Sequence, residues 1–450
     1  MNDVYAYIDA HAGEYLAQLQ RLLAVPSIAA TGEGMADTTA LVRDMLDGAG
    51  AKSQVVPTGG QPVVYGVLPG KSRRTLSFYN HYDVQPPEPL DEWQSPPFQP
   101  TVRDGRLFAR GVSDNKGNFV ARLAAIDALR HVRGELPLTL KFIVEGEEEI
   151  GSPNLGNFAD AHPDLIAADG CIWEAGGKDP RDRLGLSLGV KGILYVELRA
   201  RGPNVDVHSA WGGILTNPAW RLTWALSSLK GPDERIVVAG FYDAVREPGP
   251  ADLEILAAED IEEQAELLQL GLESFLGGLT GMDLKRRLTF SPTCTICGIG
   301  GGYQGPGLKT VLAARASAKV DFRLVPDQDP EQVEVLVRRH LKEKGFGDIE
   351  LQRLGAQHPA RTDPRHPLVG AVSRAARAVY GHDPMISPMS AGSGPMYVLS
   401  QRFGIATVST GVGNFASNAH APNENIFVAD FVQGIKHIAA IIDEFAAARL

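Results

Sequence analysis

The apolar run LTLKFIV empties into EGEEEIGS at residues 145–152. A strand that reads as buried thus delivers four carboxylates, Glu145, Glu147, Glu148 and Glu149, within five positions. Charge that dense repels itself and ordinarily sits on a solvated face. The strand end must therefore lie in water or beside compensating charge. The flanking sequence points to an open α/β sheet, where strand C-termini are the usual place for chemistry. DVYAYIDAHAGEYLAQLQRLLAV carries apolar residues at helical spacing and stops at Pro26, while QPVVYGVLPG and RTLSFYN read as strands. NKGNFVARLAAIDALRHVRG reads as a helix, with Asn115 or Asn118 as its cap and Gly134 as its stop. LPLTLKFIVEG and DGCIWEAGG are short strands, each running into acid. This alternation predicts an α/β domain with a mostly parallel central sheet flanked by helices.

The texture changes near residue 190. GLSLGVKGILYVELRARG and ASAKVDFRLVPDQDP alternate as strands with one exposed face, and NPAWRLTWALSSLKG and PEQVEVLVRRHLKEKG read as amphipathic helices. The expectation is an inserted α+β unit with an antiparallel sheet over residues 190–365. Residues 1–189 and 366–450 then form the first domain. Within the insert, residues 232–290 add a charged, helix-prone segment of no assigned role.

Composition removes several classes of function. A formal charge of −11 disfavours nucleic acid, which calls for a basic face. No stretch approaches the ~18 apolar residues of a membrane span, and MNDVYAYIDAHAGEY lacks the pattern of a signal peptide. Three cysteines leave one unpaired, which fits a reducing compartment. A soluble cytoplasmic protein is expected.

The chemistry-bearing residues cluster after strands. His81 and Asp83 end FYNHYDV, a spacing that allows a metal ligand and the carboxylate that orients it. Asp114 in RGVSDNKG precedes a helix, where an aspartate is commonly just a cap. Glu174 in WEAGG and His420 in NFASNAHAPNENI complete a set of two histidines and several carboxylates. Such a donor set suits Zn²⁺, Mn²⁺ or Co²⁺. Two such cations would offset the repulsion within the glutamate run and serve hydrolysis.

Together the ordered motifs NHYDVQPPEPLDEWQSPPFQP, RGVSDNKG, EGEEEIGS, DVHSAWGG, KTVLAARASAKVDFRLVPDQDP and AHAPNENI resemble the carnosine dipeptidase, acetylornithine deacetylase and succinyl-diaminopimelate desuccinylase family of co-catalytic zinc peptidases, in its dipeptidase-like branch. The resemblance runs nearly end to end. It implies that His81 and Glu174 bind one metal, that Glu149 and His420 bind the other, and that Asp114 bridges them. It makes Asp83 the residue that orients His81 and Glu148 the general base. It also implies a lid domain that pairs two subunits into a homodimer, with His208 reaching the partner's site to stabilise the oxyanion. Arg323, Gly392, Ser393 and His366 fall at substrate-contact positions. The peptide bond after the bridging aspartate, here Asp114–Asn115, is often cis in the family.

This chain departs from the pattern at SAGSGPM, where dipeptidase members carry a GGSIP-type loop, and at Glu174, where peptidases acting on free N-termini tend to have aspartate. Other motifs fail. Cys294-x-x-Cys297 has no second pair and reads as core sulfur, and Gly300-x-Gly302-x-x-Gly305 leads to Pro306 rather than a helix. There is no G-x-S-x-G or H-E-x-x-H. The reading is a di-metal amidohydrolase, zinc first among the metals, acting on dipeptides or short peptides with a free C-terminal carboxylate. An N-acyl-amino-acid deacylase or a carboxypeptidase is the alternative enzyme, and a non-catalytic peptide-binding relative is the alternative of another class.

Overall fold

The computed structural model describes residues 1–449. Its main sheet has eight strands in the order Lys52–Val56, Val63–Leu68, Leu138–Glu145, Ser72–His81, Gly170–Trp173, Thr407–Ser409, Gly185–Ser187 and Met385–Ser387. The four central strands, from Leu138–Glu145 to Thr407–Ser409, are mutually parallel. The sheet is mixed, because Val63–Leu68 joins one side of this block and Gly185–Ser187 the other, both antiparallel.

Alternation along the central strands buries both faces. Phe78, Phe142, Val144 and Ile172 pack into the larger core, with helices Lys116–Arg133, Pro367–Tyr380 and Val428–Ala447. Tyr79, Ile143, Cys171 and Trp173 pack into a second core with residues of helices Leu155–Ala161 and Met396–Leu399. Both-face burial explains the unbroken apolar stretches in two of these strands, Phe142 to Val144 and Cys171 to Trp173. The expected N-terminal helix is instead two, Asn2–Ala10 and Ala12–Leu23. They break at His11, whose ring stacks on Tyr7 and whose Nδ1 lies 2.8 Å from the Tyr7 carbonyl oxygen. Asn115 precedes the helix Lys116–Arg133 but makes no side-chain cap bond, and Asn118 bonds Ser113 and Val412 instead.

A second, fully antiparallel sheet runs Thr293–Gly301, Arg315–Leu324, Gly192–Arg201, Glu350–Gln357. One face packs on helices Pro218–Ser227 and Pro330–Glu343 in a core of its own, spanning residues 194–351. Residues 232–290 contain three α-helices, Pro250–Ala258, Glu263–Leu270 and Gly281–Phe290, and a 3-10 turn, Leu276–Gly278. The reading of both CxxC cysteines as core holds only for Cys294. Cys297 is exposed, because two residues three apart on one strand face opposite sides and Cys294 takes the buried one. Among the described residues, no helix is long and apolar enough to cross a membrane.

One core residue gives a pH test. His437 is buried on the last helix, its Nε2 3.3 Å from the Val372 carbonyl oxygen, and burial pulls its pKa down to about 4. The folded state thus holds the ring neutral. Its contribution is complete above the unfolded value of about 6.5 and is lost as pH falls toward 4. This single site is expected to remove about 3 kcal/mol over that window. Urea unfolding of wild type and His437→Phe at pH 7 and pH 4.5 checks this, because the substitution should flatten the pH dependence.

Candidate metal and catalytic site

The four parallel strands end along one edge, and three of the ends carry or lead directly to acidic or ligand residues. His81 is the last residue of its strand, Glu174 follows Trp173, and Glu145 opens the glutamate run. The run then turns through Glu148–Ile150 and closes at Gly151, whose φ of +88° favours glycine. This turn directs Glu148 and Glu149 back toward His81. The carboxylate of Asp83, wholly buried, fixes it by accepting the backbone N–H of Glu148 (3.2 Å) and of Glu149 (2.9 Å). His81 Nδ1 lies 3.0 Å from the backbone oxygen of Asp83 and 3.5 Å from its Oδ1. Asp83 therefore joins two strand ends as well as holding the histidine.

Asp114 sits at the middle of the cluster. Its Oδ1 is 3.0 Å from His81 Nε2, and its Oδ2 is 3.1 Å from His420 Nε2. On the first side, Glu174 Oε2 lies 3.6 Å from His81 Nε2, and on the second, Glu149 Oε2 lies 3.1 Å from His420 Nε2. The Asp114–Asn115 peptide bond is cis. Donor atoms of His81, Asp114 and Glu149 lie close enough together to share a cation. Glu149 Oε1 and Glu174 Oε2 are buried without a hydrogen-bond partner, so the carboxylates retain unused ligand atoms in a water-poor place. Donor types, spacing and orphaned oxygens together fit divalent cations.

Electrostatics reflect this crowding. Burial lowers the His81 pKa, but its bonds to Asp114 and Asp83 outweigh this and raise it well above the usual value. His420 is pushed up to about 10, by Asp114 first and Glu149 second. Burial tends to raise Asp114, yet the two histidines hold it below the carboxylate range. Burial raises Glu148 to about 7; His81 opposes the rise, and Glu149 and Asp114 add to it.

Several supporting residues escaped sequence reasoning. Gln85 Nε2 donates to Glu149 Oε2 at 2.9 Å. Arg122, buried, ties the His81 strand to the Glu174 strand by donating to the carbonyls of Tyr79 (2.5 Å) and Glu174 (2.9 Å). Glu424 accepts from Arg110 and from the backbone N–H groups of Gly111, Ser113 and Asp114. Its place four residues after His420 was the only signal available. Glu145 and Glu147, which could have been solvated, are both buried. Tyr79 donates its hydroxyl to Glu145 at 2.6 Å, and Asn154 donates to Glu147 at 2.8 Å.

The substrate-contact positions separate. Arg323 donates to Ser393 Oγ at 2.9 Å, and Ser393 donates to the Gly192 carbonyl. The same loop reaches the cluster, since a Cβ on Gly394 would lie 4.0 Å from Glu174 Oε1. His366 is not brought there. It precedes helix Pro367–Tyr380, and its Nδ1 accepts the Leu368 N–H, as a helix cap does. Leu368 packs against Gly170, at the opposite end of the strand from Glu174. His208 is exposed in the second unit, its Nδ1 accepting from Ala210.

A model of peptidase family M20/M25/M40 matches residues 77–444. The chain belongs to this family. A metallo-carboxypeptidase of the family from Sulfolobus solfataricus is 40% identical, with a TM-score of 0.92 over 96% of this chain and 99% of that one. Human carnosine dipeptidase 1 is 28% identical, with a TM-score of 0.82 over 99% of this chain and 98% of that one. Among curated sequences, a Cys-Gly metallodipeptidase of Schizosaccharomyces pombe is 29% identical, over 99% of this chain and 98% of its own length. The family carries the reaction class with it. The chain is a metal-dependent peptide hydrolase.

Proposed function

We propose that this chain cleaves the amide bond next to a free C-terminal carboxylate in dipeptides and short peptides. The observation that carries this reading is the pair of half-sites about Asp114, His81 with Glu174 and His420 with Glu149, beside the loop that Arg323 touches. These five residues would hold two divalent cations, zinc first, with Asp114 between them. Bound there, the cations would polarise the scissile carbonyl and lower the pKa of the attacking water. Glu148 takes the proton from that water and returns it to the leaving amine. Asp83 holds His81 and the glutamate turn in place. Arg323, with its planar fork, and the backbone of Gly392 and Ser393 receive the substrate carboxylate.

We assign residues 190–365 to a lid and residues 1–189 and 366–450 to the catalytic domain. Trp220 and Trp224 are both more than half exposed and stack on one helix of the lid, giving an apolar surface for a second copy. In such a homodimer, His208 would serve the site of the other copy by stabilising the oxyanion.

Two observations favour a carboxypeptidase as the second reading. Glutamate stands at position 174, and the relative at 40% identity is a metallo-carboxypeptidase. One assay separates the readings. Enzyme loaded with Zn²⁺, Mn²⁺ or Co²⁺ is given dipeptides, N-acylated amino acids and N-blocked tripeptides. Dipeptides are expected to be the best substrates. Faster release from N-blocked tripeptides moves the assignment to a carboxypeptidase, and exclusive turnover of N-acyl amino acids moves it to a deacylase.

A further inference from the structure

The 232–290 segment has no part in the chemistry described so far, yet it forms one wall of a cavity beside Arg323. The cavity is about 410 Å³ in volume. Leu276, Leu279 and Leu284, from this segment, supply its apolar side. Arg323 and Ala391 also line it, the latter next to the Gly392–Ser393 loop. The Lys191 backbone N–H donates to the Gly392 carbonyl at 2.9 Å, which ties the cavity floor to that loop.

The lining is electrostatically unbalanced. Lys191, Lys230, Arg287 and Arg323 face it with one carboxylate, Glu234, and Glu234 pairs with Lys230. Arg323 has Asp321 at 3.4 Å. Among the described residues, Lys191 and Arg287 have no carboxylate within ion-pair distance. Lys191 Nζ donates to the Ser291 carbonyl at 2.7 Å, and Arg287 donates to the Glu234 carbonyl at 3.3 Å. Lys191 is only 2% exposed, so its charge is held out of water with a neutral partner alone. That arrangement is unfavourable unless an anion joins it. Its pKa is lowered to about 8, first by burial and then by Arg323 and Arg287, which leaves it charged at neutral pH.

We propose that this cavity receives the side chain of the substrate's C-terminal residue and selects an acidic one, with Lys191 and Arg287 facing its carboxylate and the 232–290 leucines along its methylenes. The proposal rests on the reading that Arg323 takes the α-carboxylate. A dicarboxylic residue then brings one anion for Arg323 and a second for the remaining excess of positive charge.

The test compares kcat/KM for Ala-Glu, Ala-Gln, Ala-Leu and Ala-Lys on the metal-loaded enzyme, its Lys191→Met variant and its Arg287→Gln variant. Ala-Glu is expected to exceed Ala-Gln at least tenfold, with Ala-Lys the poorest. Each variant should bring the Glu/Gln ratio toward one. Because the ratio is taken within one preparation, partial loss of folded enzyme does not move it. A wild-type ratio near one overturns the proposal while leaving dipeptide hydrolysis standing. So does a ratio that survives both substitutions. If none of the four peptides is cleaved, the dipeptidase reading itself fails and the proposal with it.

Discussion

Glu148→Gln is expected to lower kcat by about 10²–10⁴-fold while bound metal stays at the wild-type level. Glutamine keeps the shape and one acceptor oxygen of glutamate but cannot take a proton from water. The hydrogen bonds that hold the turn are donated by the backbone N–H groups of residues 148 and 149 to Asp83, so the substitution leaves them intact. Glu149→Gln is the matched control. Its carboxylate bonds Gln85 and His420 and keeps an unpartnered buried oxygen, so this change should lower metal content as well as rate. Steady-state kinetics with metal analysis of the same samples separates the two residues. Retained activity in Glu148→Gln would remove the base assignment. Equal metal loss in both variants would make Glu148 a ligand.

The neighbouring glutamates show how far a sequence can carry such an assignment. The strand before EGEEEIGS was legible because burial on both faces leaves its second half, Phe142 to Val144, apolar without a break. The fates of its four carboxylates were not, because each depends on what the folded chain places opposite it. Glu145 meets Tyr79 and Glu147 meets Asn154, neither of which forms a pattern with the run. His366 failed for the opposite reason. A histidine directly before Pro367 at a helix start has a local use as a cap, and that use is what the structure gives it. The antiparallel flanks of the main sheet were hidden as well. Strand direction is set by how the chain returns, and three-residue strands such as Gly185–Ser187 carry almost no period.

The largest gap was Glu424, and its removal should have the second large effect. The residue is buried and lies more than 300 positions from the groups it holds. Oε2 accepts from Arg110 and Gly111, both at 2.9 Å, and Oε1 accepts from Ser113 at 2.8 Å and Asp114 at 3.1 Å. Glu424→Ala leaves the buried Arg110 charge and three backbone N–H groups without their carboxylate. Losing one partner of a buried pair costs about 3–5 kcal/mol, which should appear as an earlier denaturant midpoint. Glu424→Gln separates stability from positioning. Its amide oxygen can still receive one pair of donors, so the fold should survive with a smaller loss. Asp114 sits between the two half-sites, and an amide group in place of Glu424 Oε1 or Oε2 would turn the backbone that aims it. Metal affinity in Glu424→Gln should therefore weaken about 10–100-fold, the range found when groups supporting a ligand are replaced. Wild-type metal affinity in this variant would show that Glu424 braces the loop without setting the direction of Asp114.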